Sequence, residues 1–469
     1  SPCLKIVSGE PARAVCIAPS EVLIGQEFDY YLRLEDRWGN LSGMPKRYTH
    51  PGWGKPGTYT VSLTDKETGL SARSNPMDVV EEMPTLHKYW ADFHGQSSET
   101  IGTNTIEDYF RFGKDVGKLD IIGHQGNDFQ VTDEFWEKVN STAKAFYEPG
   151  KFVTFPGYEW SANTPLGGDR NVYFVAEGGR ITRSSCDLLP NGTSTYSDSL
   201  TADELFKNLK EQNNPRVFVF AHVGGRYADL RFHDEEIETA VEVHSAWGTF
   251  EWFLREALEH GYRVGIVANS DGHKGDPGAA YPGDSKFGSM GGLTCVLAEK
   301  LDRESVYDAI KARHFYATSG CRALLDLRVE MEDGRQAIMG DVVKVGRGEV
   351  TLHVRLVGSA PIERIDVYNG VELLSTHRTY NEEDLGRRVK VLWNGARVRG
   401  QDRVVNWDGR LKVKGNRIIG TETINFWNPD QPLKQMDETT LCWQSFTTGA
   451  AKGFIMTLAQ ADSGCCEID

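Results

Sequence analysis

The sequence predicts a central α/β domain flanked by two β domains. Three observations support this fold class: short alternating runs between Gly and Pro turns near the start, apolar strands alternating with amphipathic helices in the middle, and alternation again towards the end. A chain of 469 residues is also long enough to bury more than one core. We therefore predict an N-terminal β-sandwich over residues 1–84, an α/β domain over 85–328 and a β-rich domain over 329–469.

The two flanking domains are predicted from alternation of apolar and polar residues. Residues 28–34 and 58–63 alternate in the first domain, and residues 350–356 and 388–392 alternate in the last. Successive strand residues point to opposite faces of a sheet, so this pattern is typical of half-buried strands. Such domains either set oligomerisation or cover the central domain, and the sequence leaves both open.

The sequence pattern of the central domain is typical of buried strands separated by helices. Five short apolar runs predict strands covered on both faces, as in parallel sheets: residues 119–122, 152–155, 217–220, 240–243 and 264–267. Amphipathic segments predict helices between them, at residues 106–116, 202–211, 249–260 and 303–312.

Charge and hydropathy narrow the classes of partner. A formal net charge of −15 disfavours a nucleic-acid binder, which needs a concentrated basic face. No stretch approaches the roughly 20 apolar residues that cross a bilayer. We expect a soluble, cytoplasmic protein that acts on a small molecule, with no nucleic-acid or membrane partner. A removed secretion leader and a homo-oligomer both remain open.

Polar residues follow nearly every predicted strand of the central domain. A single His in such a place is more often a satisfied buried polar group than a ligand. Side chains at the carboxyl ends of barrel strands share one cavity, however, so the joint placement favours a metal site. Imidazole and carboxylate ligands suit Zn, Mn or Fe. The candidate ligands are His94, His124, Glu159, His222, Asp271 and His273.

These motifs resemble those of a known family. Asp92-Phe93-His94-Gly95-Gln96, Glu159, Ala221-His222 and Ser270-Asp271-Gly272-His273 are similar, in order, to the motifs of the PHP (polymerase and histidinol phosphatase) superfamily. More closely, the segment from about residue 89 to 322 resembles a PHP-like branch that includes carbamate hydrolases of the carbaryl hydrolase type.

The resemblance implies a distorted (β/α)7 TIM-like barrel with one to three divalent ions, ligated by the six residues above. Two departures reduce the expected number of ions. Gln96 stands where a second His is usual, and Gly123 stands where an Asp usually precedes His124. Gln96 is at best a neutral oxygen ligand or a hydrogen-bonding partner of bound water. We therefore predict one or two ions.

Catalytic and substrate-binding residues are predicted around these ligands. His244 is the candidate general acid, since a leaving group needs a proton near neutral pH. Arg170 and Arg226 are candidates for binding an anion or stabilising negative charge, and salt bridges to Asp169 or Asp229 are the structural alternative. The long loop of residues 274–292 is either a lid or a plain surface loop. The predicted substrate-binding residues are Asn127, Asp128, Trp160, Asp169, Asn171, Tyr227 and Trp247.

Together these features predict a metal-dependent hydrolase. An activated water would cleave a carbamate, ester or amide bond of a small, aromatic substrate. Phosphoester hydrolysis is the first alternative, because the wider superfamily contains phosphatases. A non-catalytic carbohydrate- or surface-binding protein is the second. Covalent Ser catalysis lacks support, because the sequence contains no Gly-x-Ser-x-Gly motif.

Overall fold

The computed structural model describes residues 7–190, 192–212, 216–285, 287–346, 348–461 and 463–469. The first six residues of the predicted N-terminal domain and residue 286 of the predicted lid loop lie outside these ranges. Strands greatly outnumber helices among the described residues, and the fold is a mixed α/β arrangement.

The N-terminal region is made of eight short strands. β1, β3 and β4 form an antiparallel sheet, β2, β8 and β5 form a mixed sheet, and β6 pairs with β7. The predicted strand at 28–34 is present, whereas the predicted strand at 58–63 is split between β5 and β6. The bounds of β1 to β8 are Pro11–Ile17, Glu21–Leu23, Phe28–Asp36, Lys46–His50, Gly57–Tyr59, Ser62–Thr64, Ser71–Arg73 and Met77–Val80.

Eleven strands form the two sheets of the central region. The first sheet has the order β11-β10-β9-β18-β19, and the second has the order β12-β13-β14-β15-β16, with β17 also paired to β15. The bounds of β9 to β19 are His87–Asp92, Ile121–Gly123, Val153–Phe155, Gly157–Ser161, Asp169–Phe174, Val217–Ala221, Glu238–Ser245, Gly248–Thr249, Gly265–Ala268, Leu293–Ala298 and Phe315–Thr318.

The predicted TIM-like barrel is not found, because the strands pair as two sheets that do not close on each other in the described part of the chain. Pro156 separates β11 from β12 and has no N–H to donate, so the chain leaves the first sheet there and enters the second. The second sheet then contains the antiparallel hairpin β12–β13, and β18 runs antiparallel to β9 in the first. A helix between every pair of strands would be needed for an all-parallel barrel.

The two sheets are held together by an aromatic core and by bridges at one end. Phe93 and Phe155 from the first sheet pack against Phe218 from the second, with ring centroids 6.3 and 5.4 Å apart. Isolated backbone bridges join Gly95 to Gly272 and Asn127 to Glu159. These bridges bring the carboxyl ends of the central strands of both sheets to one place, where the predicted ligands lie.

Five helices cover the outside of the sheets. Thr105, Thr132, Thr201 and Asp302 cap the N-termini of α1, α2, α3 and α5 by accepting backbone N–H groups. None of these helices has the length and apolar character needed to cross a membrane, as far as the structure describes the chain. The bounds of α1 to α5 are Ile106–Phe112, Asp133–Phe146, Ala202–Glu211, Glu251–Glu259 and Arg303–Ala312.

The C-terminal region is built of fourteen strands. The predicted boundary between residues 328 and 329 lies inside β20, which pairs with β22 along its whole length. The division into domains stays a prediction. The bounds of β20 to β33 are Leu324–Met331, Gln336–Ile338, Val350–Val357, Arg364–Asn369, Glu372–Arg378, Arg388–Trp393, Val405–Asn406, Gly409–Lys414, Ile418–Ile424, Lys434–Asp437, Thr440–Trp443, Phe446–Thr447, Lys452–Leu458 and Cys465–Ile468.

Arg170 belongs to the packing of the second sheet and does not face the site where we predicted it. Its Nε donates to Glu238 at 2.8 Å, and its other nitrogens donate to the carbonyls of Gly167, Asp229 and Phe232. Both partners of the Arg170–Glu238 ion pair are fully buried. Every donor position of the guanidinium faces these groups, so binding of a substrate anion by Arg170 is not supported.

We expect Arg170→Met to destabilise the fold by about 3–5 kcal/mol, because Glu238 would keep a buried charge with only the His233 imidazole, at 2.8 Å, as its partner. Urea unfolding would measure the loss, and the double variant Arg170→Met/Glu238→Leu should recover part of it. Metal content per folded molecule should not change. If Arg170→Met lost metal without losing stability, that result would support a role for Arg170 in the site.

Candidate metal centre

Five strands place ionisable side chains at the bridged end of the two sheets. His94 follows β9, Glu159 lies in β12, His222 follows β14, Glu242 lies in β15 and Asp271 follows β17. All five are buried, with exposures of 0–4 %. Such a concentration of ionisable groups away from water is unfavourable unless the charges compensate each other or a bound cation compensates them.

The side chains form two groups with metal-ligand geometry. One group consists of His94, His222, Glu242 and Asp271, and the other consists of Glu159, Asp169 and His222. Within each group, one ligand atom from every member lies within 4.8 Å of the others. His222 belongs to both groups, so the two groups are adjacent.

His94 is the centre of the carboxylate interactions. Its Nδ1 lies 3.2 Å from Glu242 Oε1, and its Nε2 lies 3.3 Å from Asp271 Oδ1 and 3.5 Å from Glu159 Oε2. Burial would lower the pKa of His94, but Asp271, Glu242 and Glu159 outweigh burial and raise the pKa well above its usual value. Without a metal, a protonated His94 therefore supplies the positive charge among these carboxylates.

Unpaired nitrogens indicate that the centre suits a cation. Neither nitrogen of His222, nor Nε2 of His94, has a hydrogen-bond partner among the described residues. Burial and the charge of His94 lower the pKa of His222, so its imidazole is held neutral and keeps a lone pair. A neutral imidazole beside carboxylates is a ligand set typical of Zn, Mn and Fe sites.

The turn after β17 fixes Asp271 by an unusual backbone conformation. Its φ is +45°, in the left-handed region that Asp tolerates better than most residues but that still costs about 1–2 kcal/mol. Burial would raise the pKa of Asp271, but His94, His273 and His222 lower it. His273 Nε2 lies 3.5 Å from Asp271 Oδ1, and its side chain is 17 % exposed, so His273 lies at the solvent side of the centre.

A chain of hydrogen bonds orients Glu159. Gln96 donates to Asn127 at 3.0 Å, Asn127 donates to Ser161 at 2.9 Å, and Ser161 donates to Glu159 Oε1 at 2.8 Å. Hydrogen bonds therefore connect Gln96 and Asn127 to a candidate ligand, and the role of Gln96 as a neutral metal ligand stays a prediction. Support of this kind fixes the direction of a ligating carboxylate.

Arg226 lies at the edge of the second group, here called the rim, and pairs with its member Asp169. Burial and the charge of Glu159 raise the pKa of Asp169 to about 8, although Arg226 opposes the shift. Arg226 NH1 lies 3.3 Å from Asp169 Oδ1, and its backbone N–H donates to Oδ2 at 2.9 Å. The Arg226 side chain is 30 % exposed, so solvent reaches the rim here.

His124 lies apart from both groups. Its Nε2 is 2.9 Å from Ser97 Oγ, and its ring packs edge-on against Tyr109 and Phe135. Burial lowers its pKa to about 4. Its role as a metal ligand stays a prediction, because its other nitrogen has no partner among the described residues.

His244 does not have the free nitrogen that a general acid needs. Its Nδ1 is 2.8 Å from Thr249 Oγ1, and its Nε2 is 3.0 Å from the carbonyl of Met290. Because that carbonyl only accepts, Nε2 carries the hydrogen and the hydroxyl donates to Nδ1. Burial lowers the pKa to about 4. The structure therefore favours a neutral, structural His244 over our predicted acid.

The predicted substrate-binding residues divide into two sets. Trp160 lies in the hydrophobic core with its Nε1 bonded to the carbonyl of Ser199, and Asp128 accepts three backbone N–H groups, so both are structural. Asn171, opposite Glu159 in the sheet, is buried with neither amide atom bonded among the residues described. Trp247 packs edge-on to His273, with ring centroids 6.4 Å apart.

Tyr227 packs edge-on against Trp252, 5.9 Å between ring centroids, and is half-buried in an apolar cluster. It lies next to Arg226 in the chain, so its substrate-binding role stays a prediction.

Two members of the centre differ from the sequence-based assignment. Glu242 groups with the ligands although it is not among the predicted ones, and Asp169 groups with Glu159 and His222 although we assigned it to substrate. The alternation of side chains along a strand could have indicated which residues face the site. Glu159 pairs with Asn171 on the face of the site, whereas Trp160 pairs with Arg170 on the opposite face of the sheet.

Comparison with known proteins gives a family match without a function. A family model described as a protein of unknown function (DUF3604) matches residues 67–242 and 279–334, just under half of the chain. Uncharacterized proteins of Chlamydia pneumoniae and Chlamydia trachomatis are 24 % and 25 % identical over 414 and 417 residues. Each alignment covers 76 % of this chain and only 64 % of the relative.

A solved structure is also similar to this chain. It is a two-domain protein containing a predicted PHP-like metal-dependent phosphoesterase from Bacteroides vulgatus, with 15 % sequence identity and a TM-score of 0.36. The match covers 61 % of this chain and 91 % of that one. None of these matches supports the narrower resemblance to carbaryl-type carbamate hydrolases.

We expect His222→Ala and Asp271→Asn to lower bound metal at least about tenfold, because the first removes a ligand nitrogen and the second replaces a charged carboxylate by a neutral amide. Elemental analysis of purified protein loaded with Zn or Mn would measure this. His244→Gln, outside both groups, is the matched control and should keep the metal. His124→Ala tests whether His124, which lies outside both groups, is a ligand as predicted from the sequence. Unchanged metal content in this variant would show that it is not.

The stability of metal-free protein should fall at acid pH because of His244. Its ordinary pKa is 6.5 and its folded pKa is about 4, so the unfolded chain binds a proton first as pH falls. This contribution, roughly 3 kcal/mol, is complete above pH 6.5 and lost by about pH 4. Urea unfolding across this window should show a smaller slope in His244→Gln than in wild type. His377→Gln, at an exposed site, should match wild type, and identical slopes in all three proteins would contradict the assignment.

Proposed function

We propose that this chain is a metal-dependent hydrolase. The observation that carries the proposal is the buried set of imidazoles and carboxylates in which His222 is held neutral and has no hydrogen-bond partner among the described residues. The residues that would hold one or two divalent ions are His94, Glu159, Asp169, His222, Glu242 and Asp271. A divalent ion in such a site lowers the pKa of a water towards about 7 and polarises the bond to be cleaved.

The protein's own groups have separate tasks in this proposal. Glu242 accepts from His94 Nδ1 and from Asn269 at 2.6 Å, which turns His94 Nε2 towards Asp271 and Glu159. The chain of Gln96, Asn127 and Ser161 holds Glu159 in its orientation. His273, partly exposed beside Asp271, is the imidazole placed to exchange a proton with a substrate entering from solvent.

For the bond that is cleaved, our first proposal is a carboxylic ester, amide or carbamate. Trp247 packs against both His273 and Phe287, with ring centroids 6.4 and 4.6 Å apart, and these rings supply an apolar wall next to the exposed side of the centre. Such a wall suits an aromatic or other apolar substrate group.

A phosphoester is the second candidate, and Arg226 favours it. Its guanidinium lies beside Asp169 at the solvent-exposed rim, and its fork of donors matches phosphoryl oxygens. Hydrolysis of either class would use the same centre, because both reactions need an activated water and a polarised acceptor oxygen.

We expect chelation to abolish hydrolysis and Zn or Mn to restore it. Nitrophenyl ester, carbamate and phosphodiester substrates would be assayed in parallel, with Asp271→Asn as the inactive variant and His244→Gln as the active control. Activity on one class would select the bond. A metal-loaded wild type that hydrolyses none of the three would favour a non-catalytic carbohydrate- or surface-binding protein instead.

A further inference from the structure

Arg403 brings a buried positive charge from the C-terminal region to the candidate centre. It belongs to the segment of residues 394–404, here called the docking arm, which connects β25 to β26. Arg399 of the docking arm pairs with Glu256 of α4 at 2.9 Å and stacks over Trp252 at 4.1 Å. These contacts hold the docking arm against the central region.

The guanidinium of Arg403 is fixed but not fully bonded. Its Nε donates to the carbonyl of Gly400 at 2.8 Å, and its NH2 donates to the carbonyl of Gly224. The rings of Trp247 and Phe250 lie 5.0 and 4.9 Å from its central carbon. The side chain is fully buried, yet NH1 has no hydrogen-bond partner among the described residues.

Gly224 connects Arg403 directly to the candidate ligands. A Cβ placed on Gly224 would lie 3.0 Å from His222 Cε1 and 3.3 Å from Asp169 Oδ2. The carbonyl that accepts from Arg403 therefore belongs to a residue packed against both groups of the centre. Burial lowers the pKa of Arg403 to about 10, and the charges of Asp271 and Asp169 oppose that shift. Arg403 is thus protonated at neutral pH.

A buried guanidinium usually has a carboxylate partner, because an unpaired charge away from water is costly. The structure gives Arg403 no ion-pair partner among the described residues, and the acidic groups that act on it are the candidate ligands Asp271 and Asp169. Metal bound at those carboxylates would remove their negative charge. Arg403 would then lack a counter-charge until an anion enters.

We propose that Arg403 binds an oxyanion group of the substrate, a carboxylate or a phosphoryl group, next to the metal centre. This inference rests on the proposed function and adds a substrate class to it. NH1 is the free donor, and the planar fork of Arg suits two oxygens of one anion. Arg403 lies outside both segments matched by the family model, so the specificity residue comes from the C-terminal region.

The test compares wild type with Arg403→Met, Arg403→Lys and the matched control Arg397→Met, at an exposed position of the docking arm. Metal content is measured first, and inorganic phosphate and benzoate are then titrated calorimetrically into each Mn-loaded protein. We expect Arg403→Met to keep the metal and weaken anion binding at least tenfold, with an intermediate loss in Arg403→Lys and none in Arg397→Met. Tighter binding of phosphate or of benzoate identifies which oxyanion the site prefers.

Kinetics separates a specificity role from a merely structural one. With an anionic nitrophenyl phosphodiester, Arg403→Met should raise KM at least tenfold, whereas a neutral nitrophenyl ester should be hydrolysed as by wild type. Equal losses on both substrates together with a lower Tm would overturn the proposal. If Arg403→Met does not fold, Arg403→Lys carries the test, and wild-type anion affinity in that variant would also overturn it.

The outcomes distinguish this inference from the proposed function. Anion binding and hydrolysis of the anionic substrate that do not depend on Arg403, in a protein that binds metal, would overturn the anion site and leave the hydrolase intact. Anion binding that depends on Arg403 in a protein that binds no metal would sink the hydrolase and leave the anion site intact.

Discussion

The structure depends on holding several carboxylates close together where water does not reach. Glu159, Asp169, Glu242 and Asp271 are all buried, and like charges at this range repel strongly in a medium of low polarisability, so burial and the charge of Glu159 raise the pKa of Asp169. The fold tolerates this repulsion for two reasons. Imidazoles lie between the acidic side chains, and these side chains are attached to separate strands. The repulsion is therefore resisted by sheet hydrogen bonds and by the aromatic core, and not by the ligand residues alone.

This constraint fits the place where the described residues bridge the two sheets. The bridges from Gly95 to Gly272 and from Asn127 to Glu159 lie beside the ligands, so the backbone is most strongly cross-linked where the side chains repel. The left-handed backbone conformation of Asp271 is also maintained by contacts at this end of the sheets. A residue in this conformation persists only when its surroundings determine it, and here its carboxylate contacts two histidines.

Much of this arrangement was predictable from local pattern. The helices at residues 202–211 and 303–312 have the predicted bounds, because Thr201 and Asp302 are N-caps that local sequence reveals. Four of the six predicted ligands belong to the two groups, and His273 lies 3.5 Å from one of them. The antiparallel pairing after Pro156 was not predictable from the same pattern, because buried strands read alike in parallel and antiparallel sheets.

The residues that were assigned wrongly to the site, or missed there, can each be explained by a specific structural feature. Arg170 and Trp160 occur next to site residues in sequence, but strand alternation turns them to the opposite face. His244 follows Glu242 by two residues, yet its nitrogens are used by Thr249 and Met290. Arg403 had no local signal at all, since it lies some 180 residues from His222 in the chain and only tertiary packing brings the two regions together.

The position of the docking arm affects how this architecture can diversify. The candidate ligands all lie in the central region, whereas the proposed anion-binding residue Arg403 comes from a segment between two strands of the C-terminal region. Loops tolerate substitution and changes in length better than buried strand ends do. Related chains can therefore keep an identical inner set of histidines and acids while altering what they recognise, and similarity in the ligand motifs alone is a poor guide to shared substrates.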